Sequence, residues 1–257
     1  MNTLLLKLII TPALIGTASL AGRRWGHSIS GWLVALPLTT GPITFFLALT
    51  HGAAFAAAAA AGTLAGGFSQ AAFVLCYALV APHWKWLPTL LASILSFAVI
   101  TAALQQLNIP LLLLYPCVFL AFTLAIRLLP HTQNPAAPTD SLPARWDIPL
   151  RMVIATVFVI IITGLASNLG PRLTGLLSPF PIFTATLAAF AHHQSGLDAT
   201  VNVLRGLLMG LFSFASFFFV LAVMLQPAGI LPAFTVAILA VIVLQSLSFW
   251  VLRRRVD

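Results

Sequence analysis

The chain repeats itself. Residues 26–82 read again at 170–226 without a gap, at a constant offset of 144 positions. The matched residues are ones that constrain backbone and packing: Gly26/Gly170, Gly31/Gly175, Pro37/Pro181, Thr40/Thr184, Gly52/Gly196, Gly62/Gly206, Gly66/Gly210, Phe68/Phe212, Ser69/Ser213 and Phe73/Phe217. The same register reaches back to Leu6-Lys7 against Leu150-Arg151 and forward to Leu87-Pro88 against Leu231-Pro232. Generic apolar composition does not align proline with proline and glycine with glycine, so one multi-helix unit has been duplicated within the chain.

Composition places that unit in a bilayer. With 61% apolar and 6% charged residues and a mean hydropathy of +1.08, the chain has too little polar surface to cover a water-soluble globule. The formal charge of +8 comes from Lys and Arg scattered through short loops. That is the pattern of membrane orientation and argues against a nucleic-acid face. Cys76 and Cys117 lie inside apolar runs with no metal-binding spacing.

A helix needs roughly 20 apolar residues to cross the ~30 Å hydrocarbon core. Nine runs qualify: 3–21, 29–50, 53–81, 86–105, 109–128, 147–167, 172–193, 197–225 and 230–251. The third and eighth would be ~44 Å long and must tilt, kink or protrude. The first has the small-residue stretch Ala18-Ser19-Leu20-Ala21 of a leader peptide, but it lacks an early positive charge and recurs internally at 147–167, so it is expected to be a mature helix.

The expected fold is all-α and polytopic. Residues 1–105 form the first four-helix repeat, 106–146 a linker helix (with Pro110 and Pro116) and a proline-rich polar connector, and 147–257 the second repeat with a basic C-terminus. Five crossings between equivalent points turn the second unit upside down, which gives an inverted 4+1+4 arrangement. With Arg23 and Arg24 inside, Lys85, Arg127, Arg145, Arg151 and Arg253, Arg254 and Arg255 also fall inside. Only Lys7 and Arg172 fall outside, so the positive-inside rule predicts an outer N-terminus and a cytoplasmic C-terminus.

Gly175-Leu176-Leu177, Phe180-Pro181, Gly196-Leu197-Asp198-Ala199 and Leu231-Pro232-Ala233 together resemble the GlpM-like family of small four-helix bacterial inner-membrane proteins. The resemblance covers roughly 150–252 and, through the repeat, 6–105 more weakly. It implies a bacterial inner-membrane location and an association with alginate-type exopolysaccharide production, and it adds little chemistry. Asp198, at the family's acidic position, has Ala54 as its counterpart. In plan, a unit fused to its own copy is similar to fused dual-topology fluoride channels and small multidrug transporters, an analogy of fold alone.

The residues that bear on function sit at helix breaks. Leu36-Pro37-Leu38-Thr39-Thr40-Gly41-Pro42 interrupts the second run, and Ser178-Pro179-Phe180-Pro181-Ile182-Phe183-Thr184 interrupts the seventh. Proline removes a donor and frees carbonyls, and breaks at corresponding places of two repeats point to a midplane binding site. The plain alternative is a pair of packing kinks. Gly62, Gly66, Gly206 and Gly210 form two GxxxG pairs, read as helix-packing surfaces. Ser69 and Ser213 are matched hydroxyls, suited to a pathway or to inter-helix bonds. Arg205 lies well inside a run, facing either the bundle or, by snorkelling, the headgroups.

Lys7 and Arg151 are expected to be interfacial anchors, with paired cationic vestibules as the sharper alternative. The histidines (His27, His51, His83, His131, His192 and His193) show no metal-site spacing, and the four acids (Asp140, Asp147, Asp198 and Asp257) provide no paired carboxylates. No enzyme motif, cofactor or metal is expected. The candidate solute pathway is therefore Pro37, Thr39, Thr40, Ser69, Pro181, Thr184, Arg205 and Ser213. The expected function is transport of a small anionic or neutral solute, set against a non-transporting scaffold for envelope polysaccharide or lipid-linked precursors.

Overall fold

A computed structural model describes residues 5–13, 36–130 and 147–253. Gly26, Gly31, Arg23, Arg24 and His27, the connector from His131 through Arg145, and the terminal Arg254 and Arg255 lie outside the described residues. Eight helices follow: α1 over 5–13, then α2 Thr40–His51, α3 Ala53–Val80, α4 Trp86–Gln106, α5 Leu111–Leu128, α6 Asp147–Leu177, α7 Ile182–Ala228 and α8 Ile230–Arg253. Among the described residues there is no strand.

Five of these helices are long and apolar enough to cross a membrane: α3, α4, α5, α6 from Met152 onward, and α7. The protein is a multi-pass membrane protein. The lipid-facing sides carry large apolar side chains, among them Leu91, Leu95, Leu112, Leu120, Leu239 and Ile242, all more than a third exposed. In water such a surface would aggregate, whereas in lipid tails it is matched.

Two of the expected runs are interrupted at their prolines. In the described part of the 29–50 run, 36–39 are non-helical and α2 begins at Thr40, its 12 residues rising about 18 Å. The 172–193 run is two pieces. Residues 171–177 continue α6 beyond a break at Gly170 (φ 72, ψ 167), and α7 then starts at Ile182 and breaks again at Gly196 (φ 82, ψ −170). In both repeats, proline prevents a continuous helix at the same place.

Backbone hydrogen bonds recur at the offset of the sequence repeat. The Leu38 N–H bonds the Leu36 carbonyl at 2.7 Å, and the Ile182 N–H bonds the Phe180 carbonyl at 2.8 Å. Gly41 N–H to Pro37 O (2.8 Å) is matched by Ala185 N–H to Pro181 O (2.7 Å), and Thr89 N–H to Lys85 O (3.2 Å) by Ala233 N–H to Gly229 O (3.3 Å). The helix corners match as well. Gly52 (φ 89, ψ 167) and Gly196 share a left-handed φ that only glycine adopts without strain. Even the inter-helix side-chain pairs correspond: the Thr101 hydroxyl donates to Ser69 Oγ at 2.9 Å, and Ser213 donates to Gln245 Oε1.

Helix α3 is central and packs against α2, α4, α5, α6 and α7. Its alanine-rich first half is a strong helix former with almost no side chain to keep neighbours away. A Cβ added to Gly62 would lie 2.6 Å from the Arg172 carbonyl oxygen, and one added to Gly66 would lie 3.2 Å from that of Leu176. The Gly62/Gly66 face therefore meets residues 171–179 backbone to backbone. Thr63, buried in the same seam, donates to the carbonyls of Ala59 (3.0 Å) and Gly175 (3.1 Å).

Candidate functional site

The two proline breaks are built alike. An inverse γ-turn needs its central residue near φ −75°, close to the value that a proline ring imposes. Pro181 has φ −80 and ψ 51 at the centre of the Phe180–Ile182 turn, and Pro37 occupies the same place between Leu36 and Leu38. Each turn reverses the chain into the N-terminus of a helix, α2 or α7. Those two N-termini open onto one small cavity of about 30 Å³, enough for one or two waters.

The cavity wall from the first repeat consists of Leu36, Thr39, Thr40 and Gln70. The wall from the second is Phe180, Pro181, Phe183, Thr184 and Phe214, with Leu207 and Leu211 closing one side. No charged side chain lines it. The helix dipoles add partial positive charge at these N-termini, although the turn carbonyls of Pro37, Thr39, Phe180 and Pro181 already accept from the N–H groups of Gly41, Ile43, Ile182 and Ala185 respectively.

Gln70 and Thr40 give the cavity its polarity. Gln70 is 7% exposed, and its Nε2 donates to the Pro179 carbonyl at 2.6 Å. A carbonyl can only accept, so this bond fixes the amide orientation and leaves Oε1 turned away from Pro179. Oε1 has no hydrogen-bond partner among the described residues. Thr40 is 4% exposed, and its hydroxyl also lacks a partner among them. Buried hydroxyls elsewhere donate to the carbonyl four residues back, as in Thr44, Thr63, Thr174 and Ser178. The residue four before Thr40 is Leu36, which lies in the turn and not in a helix, so its carbonyl is not held in the i−4 position that the other hydroxyls use.

Of the residues expected along a pathway, Thr39, Thr40, Pro181 and Thr184 line this cavity, and Pro37 sits in the turn behind it. Ser69 and Ser213 do not line it and instead tie α3 to α4 and α7 to α8. Arg205 is also elsewhere, half-buried, with its guanidinium donating to the Pro130 carbonyl at 3.0 Å beyond the end of α5. Gly206 and Gly210 are buried in α7.

Two residues gain importance that the motifs alone did not assign them. Gln70 is an amide in an apolar run, and its repeat counterpart is Phe214, so the signal lay in a mismatch of the duplication. Lys7, expected to be an anchor, is 9% exposed. Its ammonium donates to Thr163 Oγ1 at 2.8 Å and lies 5.5 Å from the Phe46 ring centre. His192 and His193 diverge: the first has its Nδ1 3.5 Å from the Tyr77 hydroxyl, and the second packs beside Trp86.

Compared with protein families, curated proteins and solved structures, the chain finds no match in any of the three.

Proposed function

We propose that the protein transports a small anionic or neutral solute across the bacterial inner membrane, with the cavity between the two proline breaks as its binding point. The carrying observation is that breaks 144 residues apart in sequence meet at one cavity holding two buried polar groups, Thr40 Oγ1 and Gln70 Oε1, that have no partner among the described residues. Burying such groups in an apolar bundle costs about 1–3 kcal/mol each unless something binds them, and a ligand in transit supplies the missing bonds. The proposal includes nine crossings, an inverted 4+1+4 plan, an outer N-terminus, a cytoplasmic C-terminus and the GlpM-like kinship read from the motifs.

The scaffold reading draws on the position of Arg205, held at the end of α5 away from the cavity, and on the cavity's small size. Flux from proteoliposomes across a panel of anions and polyols separates the two readings. Solute-selective flux above that of protein-free vesicles supports transport, and none for any solute leaves the scaffold. Accessibility of single cysteines placed at the two termini tests the topology, since labelling of both from the same side rules out an odd number of crossings.

A further inference from the structure

We infer that the cavity selects a small uncharged molecule that both donates and accepts hydrogen bonds, with Gln70 as the residue that sets this choice. The inference rests on the transport reading for its physiological meaning and on the cavity alone for its chemistry. Gln70 Oε1 is an acceptor, because the opposite end of the amide is committed to the Pro179 carbonyl. It requires a donor, and a bare anion has none to give. Thr40 Oγ1 supplies a hydroxyl with no hydrogen-bond partner among the described residues, and the N-termini of α2 and α7, one from each wall, add partial positive charge. These require an acceptor and disfavour a cation. With no charged residue in the wall, a net charge of either sign would be desolvated without a counter-charge.

A molecule that offers an N–H or O–H to Gln70 and an oxygen to Thr40 satisfies every open group. At about 30 Å³ the space admits water, or the hydroxyl or amide end of a solute such as glycerol or urea. The rings of Phe180, Phe183 and Phe214 on the opposite wall shape the site without adding a hydrogen-bond partner.

The test combines permeation and binding. In stopped-flow light scattering, proteoliposomes are challenged with an impermeant osmolyte, urea or glycerol, and in parallel vesicles chloride and fluoride efflux is followed. The wild type is expected to pass at least one neutral probe and neither halide. Gln70→Leu should reduce that permeation about tenfold, and Thr40→Val about fivefold, the loss of one neutral hydrogen bond. Thr40→Val removes no hydrogen bond among the described residues, so it remains informative if Gln70→Leu does not fold.

Binding is read by solid-state NMR of glutamine-amide-labelled protein. The Gln70 side-chain signal, assigned by its loss in Gln70→Leu, should show contacts to water or to ¹³C-urea. Contacts without flux uphold the ligand class and overturn transport. Halide efflux with no neutral permeation overturns the ligand class and leaves transport standing. Neither contacts nor flux overturns both, as does neutral permeation unchanged in both variants for the role of this cavity.

Discussion

The two breaks share a backbone and differ in chemistry. Thr39 and Gln70 on one wall stand where Phe183 and Phe214 stand on the other, while Thr40 and Thr184 remain alike. The turns, corners and inter-helix pairs are fixed by proline, glycine and hydroxyl positions that the duplication copied. The side chains facing the cavity contact its contents one wall at a time, so they were free to diverge. A repeated backbone pattern thus encloses a one-sided site.

The sharpest way to break this comparison lies in the packing glycines. Gly62→Leu forces a side chain against the Arg172 carbonyl and should cost about 3 kcal/mol or more, read as lost thermal stability in detergent. Gly206→Leu should do the same, and a tolerated Gly206→Leu would end the equivalence of the halves. Next is the cavity wall. Gln70→Leu leaves the Pro179 carbonyl without its donor and should cost about 2 kcal/mol, against about 1 kcal/mol for Phe214→Leu. Equal costs at the two positions would deny the asymmetry.

The corners come third. Gly52→Ala and Gly196→Ala should each cost about 1–2 kcal/mol, because a left-handed φ is imposed on alanine while its Cβ meets nothing within 4 Å. Smaller still are Ser69→Ala and Ser213→Ala, at about 0.6 kcal/mol each for an inter-helix bond in a membrane protein. Thr40→Val should run the other way, stabilising the ligand-free protein by about 1 kcal/mol, since it deletes a buried hydroxyl with no partner among the described residues. Thermal unfolding of the set in one detergent orders all of these.

The repeat, the apolar helices and the two breaks were legible because proline and glycine act on the backbone wherever they stand. Residues 29–50 and 172–193 show what apolar length alone leaves open: it measures the capacity to cross, while Pro37 and Pro181 break the helix within each run. The cavity's polar wall was not legible. A single glutamine in an apolar run has no periodicity, and its orientation follows from a carbonyl 109 residues away. Arg205 drew attention as a charge inside a run, yet the length of its side chain carries its head to Pro130, a reach that position alone does not reveal.

The corners at Gly52 and Gly196 also bear on mechanics. Each joins a short half-helix, 40–51 or 182–195, to a long one, at a glycine where an added Cβ would meet nothing within 4 Å among the described residues. At the other end, the segment 171–179 is stapled to α3 through Gly62, Thr63 and Gln70. Each half-helix thus runs from a glycine corner to the cavity, and because Ile43, Phe46 and Leu47 bury the first of them in the core, a displacement at its corner reaches the site only by repacking that core. Amide exchange faster in 40–51 and 182–195 than in α3 would register that motion.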